Sequence, residues 1–545
     1  MTEPVDTPTT VPETAPSRRP RRLAVAGAGG VVAALIGGGA FAYSMLAGGG
    51  SQPADVMPST MQAYARLDLD PSAGQKVALF KLLRKIPDAA KELGDAENAD
   101  LRRLILEDAL GDMCADLDYE TDIEPWLGKR IGIGANITDE QFFVAAQVTD
   151  EAAARKGIDG LSDCGGQEIG LAFVDGYALL SDSQKSVETA IDANAKGTLG
   201  DDKDFVADMD ALGEQGIASA WFDASAISDA LAASALAPAG AAQLDQLKNA
   251  GSGALVIRVA GSAIELAAVT TSTEDADVDP APIGDLPAAT VVALSLSGLG
   301  PQVSAQFDEL RDSLEEGLGA FTGPSIAAEP FDPELLSDLD PETRDSYEKL
   351  LTESQAPAPS VDDLLDSFET ETGLSLPEDL ATLLGKTFTL AVGRANLENL
   401  STLEGPDDLA KFDLAIRSQG DPAKAKSVMD TLVGLAEDNG VPLVTEQTDD
   451  GAVLATNQKA AEALLSGGKL HDTDRFKNVM PYGDETLQGL YVDASAIIDA
   501  IRASDPLPSV LESLTQVEAI SGAGFSVGQI NDDRIGLSIR VAFVD

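Results

Sequence analysis

Histidine and cysteine are nearly absent from this chain. The sequence has one histidine, His471, and two cysteines, Cys114 and Cys164. A multi-histidine metal site is therefore excluded, and a Ser-His-Asp triad would have to use His471. The chain contains an internal repeat, and Gly200 stands in its first copy where His471 stands in the second, so His471 takes part in no chemistry that the copies share. We expect His471 to lie in a surface loop. We accordingly predict no metal site, no bound cofactor and no catalytic residue.

Basic residues are also scarce. The chain carries 37 Lys and Arg against 91 Asp and Glu, a net charge of −54. A surface of this sign repels phosphate backbones, so we expect no nucleic-acid partner. The negative charge could instead serve solubility, attract a cationic partner or bind calcium weakly. The acidic stretch at 201–210 has Val206 where an EF-hand loop requires glycine.

One segment has no charge at all. Residues 23–46 form an apolar stretch that is long enough to span a bilayer core, and Arg18–Arg22 precede it directly. The positive-inside rule then places residues 1–22 in the cytoplasm as a disordered tail and everything after residue 46 outside the cell membrane. A cleaved signal peptide is the alternative, because Ala40–Ala42 resembles a cleavage site. We expect the glycine-rich Ala47–Gln52 to let the exported part move freely.

Small residues recur at every fourth position of this apolar segment, at Ala26, Gly30, Ala34, Gly38 and Ala42. Such a stripe lets two membrane helices approach closely, which would make a homodimer through the anchor. A helix rich in glycine and alanine also produces this spacing by chance, so both interpretations stay open.

Both cysteines lie in the predicted exported part of the chain. Two thiols supply too few ligands for a structural zinc site, whereas disulfides persist in oxidising compartments. We therefore predict a Cys114–Cys164 disulfide.

The exported part contains nearly the same eleven residues twice. WFDASAISDAL at Trp221–Leu231 matches YVDASAIIDAI at Tyr491–Ile501, and further landmarks match in the same order. We interpret this as a tandem duplication. The predicted first repeat covers 47–271, a linker covers 272–285, and the second repeat covers 286–545 with an acidic, proline-rich insertion at about 323–360.

Each repeat has the patterns of an α+β unit. Residues 61–70 alternate like a half-buried strand, and a helix follows in which Val77, Phe80, Leu83 and Ile86 have the spacing of a core-facing side. Hairpins are predicted with turns at Asp175–Gly176 and at Asp450–Gly451. Hairpins outnumber crossovers, so we predict largely antiparallel sheets with helices on one face.

Three aspartates stand where a helix should begin: Asp70, Asp223 and Asp493. A short side-chain acceptor at this position satisfies backbone N–H groups of the first helical turn, so we predict helix caps. For Asp223 and Asp493 the alternative is a pair of related carboxylates that line a site between the repeats. The GFSVG sequence at Gly524–Gly528 falls in a predicted hairpin, where a nucleophile elbow does not occur.

The first repeat resembles an actinobacterial, membrane-anchored family of unknown function. The resemblance rests on Pro53–Asp55, Leu67–Pro71, Gly74–Lys76, Lys85–Pro87 and Trp126–Gly128. It implies a single-pass protein with an extracytoplasmic domain. It supplies no catalytic residues, because the family has no assigned activity.

Together these observations favour a non-catalytic envelope protein with a binding or scaffolding role. Its partner would be another envelope protein, a polymer or an apolar ligand. Two alternatives remain: an extracytoplasmic hydrolase that acts on cell-wall glycan or peptide through carboxylates, and a carrier of a lipid or other apolar molecule.

The charge asymmetry around residues 23–46 generates a test of topology. Protease added to intact cells should remove the part of the chain that follows residue 46, because the positive flank keeps the N-terminus inside. An immunoblot against each end of the chain measures this, with a cytoplasmic protein as the control for lysis. Full protection of the C-terminal part would contradict the predicted topology.

Overall fold

The computed structural model describes residues 51–69, 73–86, 117–232, 251–271, 278–321, 360–402, 405–504, 508–531 and 533–544, with positions 90, 102, 103, 106 and 114. The predicted tail, the segment at 23–46 with its stripe of small residues, Asp70 and nearly all of the predicted insertion lie outside the described residues. In the part that is described, no helix combines the length and the apolar character that crossing a membrane requires.

The first half of the chain contributes eight strands and five helices in the described ranges. In chain order they are β1 (Ala63–Asp68), α1 (Ala73–Leu83), β2 (Leu127–Asn136), β3 (Gln141–Val148), α2 (Glu151–Gly165), β4 (Gly170–Val174), β5 (Tyr177–Ser181), α3 (Gln184–Asn194), α4 (Lys203–Leu212), β6 (Ala218–Asp223), α5 (Ala224–Ala232), β7 (Ser252–Ala260) and β8 (Ala263–Thr271).

Over the residues that the structure describes, the second half follows the same plan with more helices. Its elements are β9 (Thr290–Ser297), α6 (Leu299–Phe321), α7 (Val361–Thr372), α8 (Glu378–Leu384), β10 (Thr387–Gly393), β11 (Leu414–Gln419), α9 (Pro422–Asp438), β12 (Val444–Gln447), β13 (Gly451–Ala455), α10 (Gln458–Ser466), α11 (Asp474–Val479), β14 (Thr486–Val492), α12 (Ala494–Ala503), α13 (Pro508–Val517), β15 (Ile520–Asn531) and β16 (Arg534–Phe543).

All sixteen strands of the described ranges form one antiparallel sheet, so the α+β class is confirmed. The order of strands is β12-β13-β11-β10-β9-β14-β15-β16-β8-β7-β6-β1-β2-β3-β5-β4. From the outer edge of the sheet to its centre, the first half has the order β4-β5-β3-β2-β1-β6-β7-β8, and the second half has the corresponding order β12-β13-β11-β10-β9-β14-β15-β16. The halves join through their last strands, because β8 pairs with β16.

The junction has the register of a local two-fold axis. Leu266 in β8 pairs with Ile539 in β16, and Leu537 pairs with Ala268. The ladders to β7 and β15 make Leu537 the counterpart of Leu266 and Ile539 the counterpart of Ala268. Rotation about the local axis, which exchanges the halves, therefore maps the pair Leu266–Ile539 onto the position of the pair Leu537–Ala268. The axis passes between Ala267 and Ser538, which are paired with each other.

Corresponding positions of the two halves also share packing and caps. Phe205 and Trp221 meet edge to face with ring centroids 5.7 Å apart, and Phe476 and Tyr491 meet at 5.5 Å. At the start of α2 the Asp150 side chain accepts a hydrogen bond from a first-turn backbone N–H, and Asp421 does the same at the start of α9.

Helices cover both faces of the sheet, and the expectation of helices on one face is wrong. In the first half, α3 and α4 pack on the face that carries Tyr64 and Trp221. Helices α1 and α2 pack on the opposite face, against Leu67. The reason is that inner strands such as β5 bury side chains on both faces, which requires cover on both sides.

Three local expectations also need correction. Strand β1 is not half-buried as expected, because Tyr64, Arg66 and Asp68, on the side predicted to face water, are each 3 % exposed. Val77 of α1 is 54 % exposed, while Leu79, Phe80, Leu82 and Leu83 are buried, so the buried side of this helix is rotated from the expected one. The first hairpin does turn at Asp175–Gly176, with positive φ at both residues. In the second hairpin Gly451 already belongs to β13. Its turn closes through a hydrogen bond from the Thr448 N–H to the Gly451 carbonyl oxygen.

The predicted disulfide is confirmed. Cys114 and Cys164 are bonded, with their Cα atoms 5.8 Å apart and a separation of 50 positions in sequence. Cys164 lies in the last turn of α2. The bond therefore ties the chain that precedes β2 to the helix that covers the outer strands of the first half.

Replacing both cysteines by serine should lower the free energy of unfolding by about 3–4 kcal/mol, because the unfolded chain regains the freedom that a loop of this length loses. Urea denaturation of the purified chain, followed by far-UV circular dichroism, measures the change. Addition of a reductant should reproduce the effect in the wild type and leave the double variant unchanged. Two free thiols in the native protein would contradict the assignment.

Candidate functional site

The junction between the halves concentrates buried charge on one face of the sheet and exposed apolar side chains on the other. We call this region the seam and define it as strands β7, β8, β15 and β16. The face that carries α3 and α4 is called the charged face here, and the face that carries α1 and α2 is called the apolar face.

Glu265 of β8 is the centre of the charged face at the seam. Its side chain is 1 % exposed. It accepts hydrogen bonds from Arg258 Nε at 2.6 Å within its own half. From the second half it accepts bonds from Arg540 Nε at 2.9 Å and from Ser538 Oγ at 2.7 Å. One carboxylate thus binds donors from both halves.

The ionisation of Glu265 follows from these partners. Burial by itself would raise the pKa of the carboxyl group, but the hydrogen bonds and charges of Arg540 and Arg258 outweigh burial and hold the pKa below its usual value. The buried carboxylate therefore stays charged at neutral pH and balances the arginines that face it.

A second buried carboxylate also joins the halves. Asp208 of α4 is fully buried. It accepts a hydrogen bond from Trp221 Nε1 at 2.9 Å and one from Arg534 Nε of the second half at 3.1 Å. The aromatic pair of the first half and the seam are thereby linked through one side chain.

The second half has no copy of the Arg258–Glu265 pair. The ladder places Gly528 and Gly536 at the corresponding positions. Tyr482 lies over both of them: a Cβ on Gly536 would be 2.1 Å from the Tyr482 hydroxyl, and one on Gly528 would be 2.7 Å from its ring. The repeats have therefore diverged at the seam, where one side carries an ion pair and the other a tyrosine on two glycines.

On the apolar face, one line of side chains crosses almost the whole sheet. Each member is the cross-strand partner of the next, so all of them point to the same side. From β13 to β5 this apolar row comprises Leu454, Ile416, Leu390, Leu294, Leu490, Phe525, Ile539, Leu266, Ile257, Ala218, Leu67, Ile131, Ala146 and Ala178.

The two ends of the apolar row are covered and its middle is open. Leu454 and Ile416 pack with residues of α8 and α9. Ala146 and Ala178 lie under residues of α2 and are 4 % and 0 % exposed. In the middle, Leu490 is 38 % exposed and Ile539 is 41 % exposed.

Helix α1 borders the open middle of the row. Ile264 and Val541, cross-strand partners two positions from the row, pack with residues of α1. Since α1 belongs to the first half and Val541 to the second, this helix also bridges the seam. The open part of the apolar row thus lies beside a helix that contacts both halves.

The aspartates predicted at helix starts are engaged by their own helices. Asp223 accepts a hydrogen bond from the Ala226 N–H at 2.9 Å, and Asp493 accepts one from the Ala496 N–H at 3.0 Å. The Asp493 carboxylate is also paired with Arg475. Strand β6 lies in the first half and β14 in the second, with the seam strands between them, so the two carboxylates do not line a common site.

His471 lies in a short helical turn, Leu470–Asp472, and its side chain is 33 % exposed. Its Nδ1 atom is 3.0 Å from the Gly284 carbonyl oxygen, 3.8 Å from Asp285 Oδ1 and 3.9 Å from Asp484 Oδ1. The three possible ligand atoms lie within 4.8 Å of one another. Both carboxylates are about three-quarters exposed, at 73 % and 75 %. The absence of a metal site stays a prediction.

Glu265, Asp208 and the apolar row were not among the features predicted from the sequence. Glu265 has a visible signal, since it interrupts the apolar run AIELAAV at Ala263–Val269. Arg534 and Arg540 have none, because exposed arginines are common on strands. The apolar row depends on the register of strands that are far apart in sequence.

The fold and the seam define an α+β protein in which two similar halves share one sheet. The chain belongs to a family described as protein of unknown function (DUF3352), whose model matches residues 140–490. The match begins just before β3 in the first half and ends within β14 of the second half, so it covers parts of both halves. No curated protein and no solved structure shows a significant match to the chain.

Replacing Glu265 by Gln should destabilise the protein by about 3 kcal/mol, because two arginines then lose a buried counter-charge. The loss should shrink at acidic pH. The carboxylate of the wild type contributes fully above its ordinary pKa of about 4.3, and this contribution is lost as the pH falls through the lowered pKa.

Urea denaturation at a series of pH values measures both effects. Replacing the exposed Glu188 by Gln is the matched control and should change stability by less than about 0.5 kcal/mol. Equal effects of the two substitutions would show that the seam carboxylate does not hold the halves together.

Proposed function

We propose that this protein is a membrane-anchored, extracytoplasmic, non-catalytic envelope protein that binds an apolar partner along the open middle of the apolar row. The observation that carries the proposal is the exposure of Leu490 and Ile539 at the centre of an otherwise covered line of apolar side chains. Contiguous apolar surface of this kind is typical of binding sites in soluble domains.

Location outside the cytoplasm has two supports. The first is the uncharged segment at 23–46 behind Arg18–Arg22. The second is the Cys114–Cys164 disulfide, because such bonds persist in oxidising compartments. A single-pass protein of an actinobacterial envelope, as the sequence resemblance implies, is consistent with both.

The side chains that the sequence offered as candidates for catalysis have structural roles, which favours binding over catalysis. Asp223 and Asp493 each hold the first turn of a helix. Ser526 of the GFSVG sequence is fully buried within β15. These groups serve the fold, whereas the apolar row is a feature that the fold itself leaves uncovered.

The open row also limits the chemistry of the partner. The middle of the row offers leucine, isoleucine and phenylalanine side chains, while the chain as a whole carries a net charge of −54. An anionic partner would be repelled, so we propose an uncharged or cationic molecule, or a protein surface, that presents an apolar face.

Replacing Leu490 and Ile539 together by Asp should weaken binding of the uncharged apolar dye N-phenyl-1-naphthylamine by about tenfold or more. Burial of one such side chain contributes about 1.5–3 kcal/mol, and about 1.4 kcal/mol corresponds to tenfold in affinity. Fluorescence titration of the purified chain measures the dissociation constant.

Leu380 on α8 provides a matched control, because it is similarly exposed at 37 % but lies outside the row. The Leu380→Asp variant should bind the dye like the wild type. Circular dichroism establishes that all variants are folded. Unchanged binding in the double variant, or no binding by the wild type, would refute the proposed site.

A further inference from the structure

The first described residue, Ser51, is held in place by the first half. Its carbonyl oxygen accepts hydrogen bonds from the Tyr177 hydroxyl at 2.7 Å and from Arg130 Nη1 at 3.3 Å. Its own hydroxyl donates to the Asp175 carbonyl oxygen at 3.2 Å. Of the glycine-rich Ala47–Gln52, Ser51 is therefore bound to the first half, so any freedom of the exported part to move has to come from residues before Ser51.

The groups that hold Ser51 are themselves fixed. Tyr177 is fully buried, and Arg130 is 6 % exposed. Arg130 is also 3.5 Å from the buried carboxylate of Asp68, its cross-strand partner. In the second half the corresponding cross-strand pair is Ser297 with Thr387, so this arrangement is specific to the first half.

The chain between Ser51 and the predicted anchor is short. Only residues 47–50 separate Ser51 from the end of the apolar segment. A fully extended chain advances at most about 3.6 Å per residue, so Ser51 can lie no more than about 18 Å from the point where the chain leaves the bilayer.

We infer that the first half stands at the membrane surface and that the second half projects away from it. The inference rests on the anchor of the proposed function and adds the orientation of the protein. The part of the molecule that faces the lipid surface is where β2 begins, β3 ends and β5 begins, beside the Asp175–Gly176 turn that holds Ser51.

Two features separate the second half from the membrane. Strands β3 and β11, which lead into α2 and α9, are eleven positions apart in the sheet, which corresponds to about 50 Å along it. Residues 286–545 carry 46 acidic and 16 basic residues, a net charge of −30, whereas residues 47–271 carry 37 and 17, a net charge of −20. An anionic membrane surface repels that charge, while the short connection keeps one corner close.

The duplicated fold offers matched positions for a test. Ala152 in the first turn of α2 and Ala423 in the first turn of α9 are both exposed and follow the capping residues Asp150 and Asp421. The full chain is prepared as Ala152→Cys or Ala423→Cys and labelled with a thiol-reactive fluorophore. The native cysteines do not react because they form a disulfide.

Each labelled chain is inserted into vesicles of phosphatidylcholine and phosphatidylglycerol that contain a lipid with a nitroxide on its headgroup. We expect the label at 152 to be quenched at least about twofold more than the label at 423, because about 50 Å of sheet separates them. Equal quenching, or stronger quenching at 423, would overturn the orientation.

A longer connection provides the second arm. Inserting about 15 Gly and Ser residues between Gly50 and Ser51 adds roughly 20 Å of average reach, so quenching at 152 should fall toward the value at 423. Unchanged quenching at 152 would overturn the role of the short connection. Flotation of the chain with the vesicles tests the anchor separately, and a chain that does not float refutes the anchor and this inference with it.

Discussion

The hydrogen bonds between β8 and β16 turn two eight-stranded sheets into one. Each half alone would end in a long strand with unpaired backbone N–H and C=O groups, which is an unstable arrangement in water and invites aggregation. Pairing nine residues of one strand with nine of the other removes both edges at once. The edges that remain, β4 and β12, have only five and four residues. Short edge strands are a common protection against uncontrolled pairing.

The buried charges at the seam make this pairing specific. A shift of β16 by one residue would turn Arg540 and Ser538 to the apolar face and leave Glu265 without its donors. Arg534 would likewise lose Asp208. Removing charged groups from water costs free energy that their mutual attraction only partly returns, so we interpret these ion pairs as fixing the register rather than as the main source of stability.

The two halves differ at corresponding positions, so the two ends of the molecule are not equivalent. The first half carries Arg66, Asp68 and Arg130 where the second half has Ser295, Ser297 and Thr387 at the corresponding pairs of strands. In the charged set, Arg130 donates a hydrogen bond to Ser51, close to the predicted anchor, and Asp68 lies beside both arginines. The apolar row is shared by both halves, and its open middle lies at the seam. A surface so placed is available only when both halves are joined.

Local sequence determined much of this protein. Alternating residues indicated that β1 is a strand, the Asp-Gly pair specified the turn after β4, and short acceptors marked helix starts, because each of these depends on neighbours within a few residues. The same alternation did not predict the burial of β1, whose residues Tyr64, Arg66 and Asp68 are covered by the rest of the fold. Two cysteines in a predicted export context specified the disulfide. Tertiary structure alone decided that the halves share one sheet, that helices cover both faces, that Val77 faces water and that Glu265 meets Arg540. Those outcomes depend on contacts between residues that are far apart in sequence. The pattern of residues within a single strand or helix does not predict which distant segment it will contact.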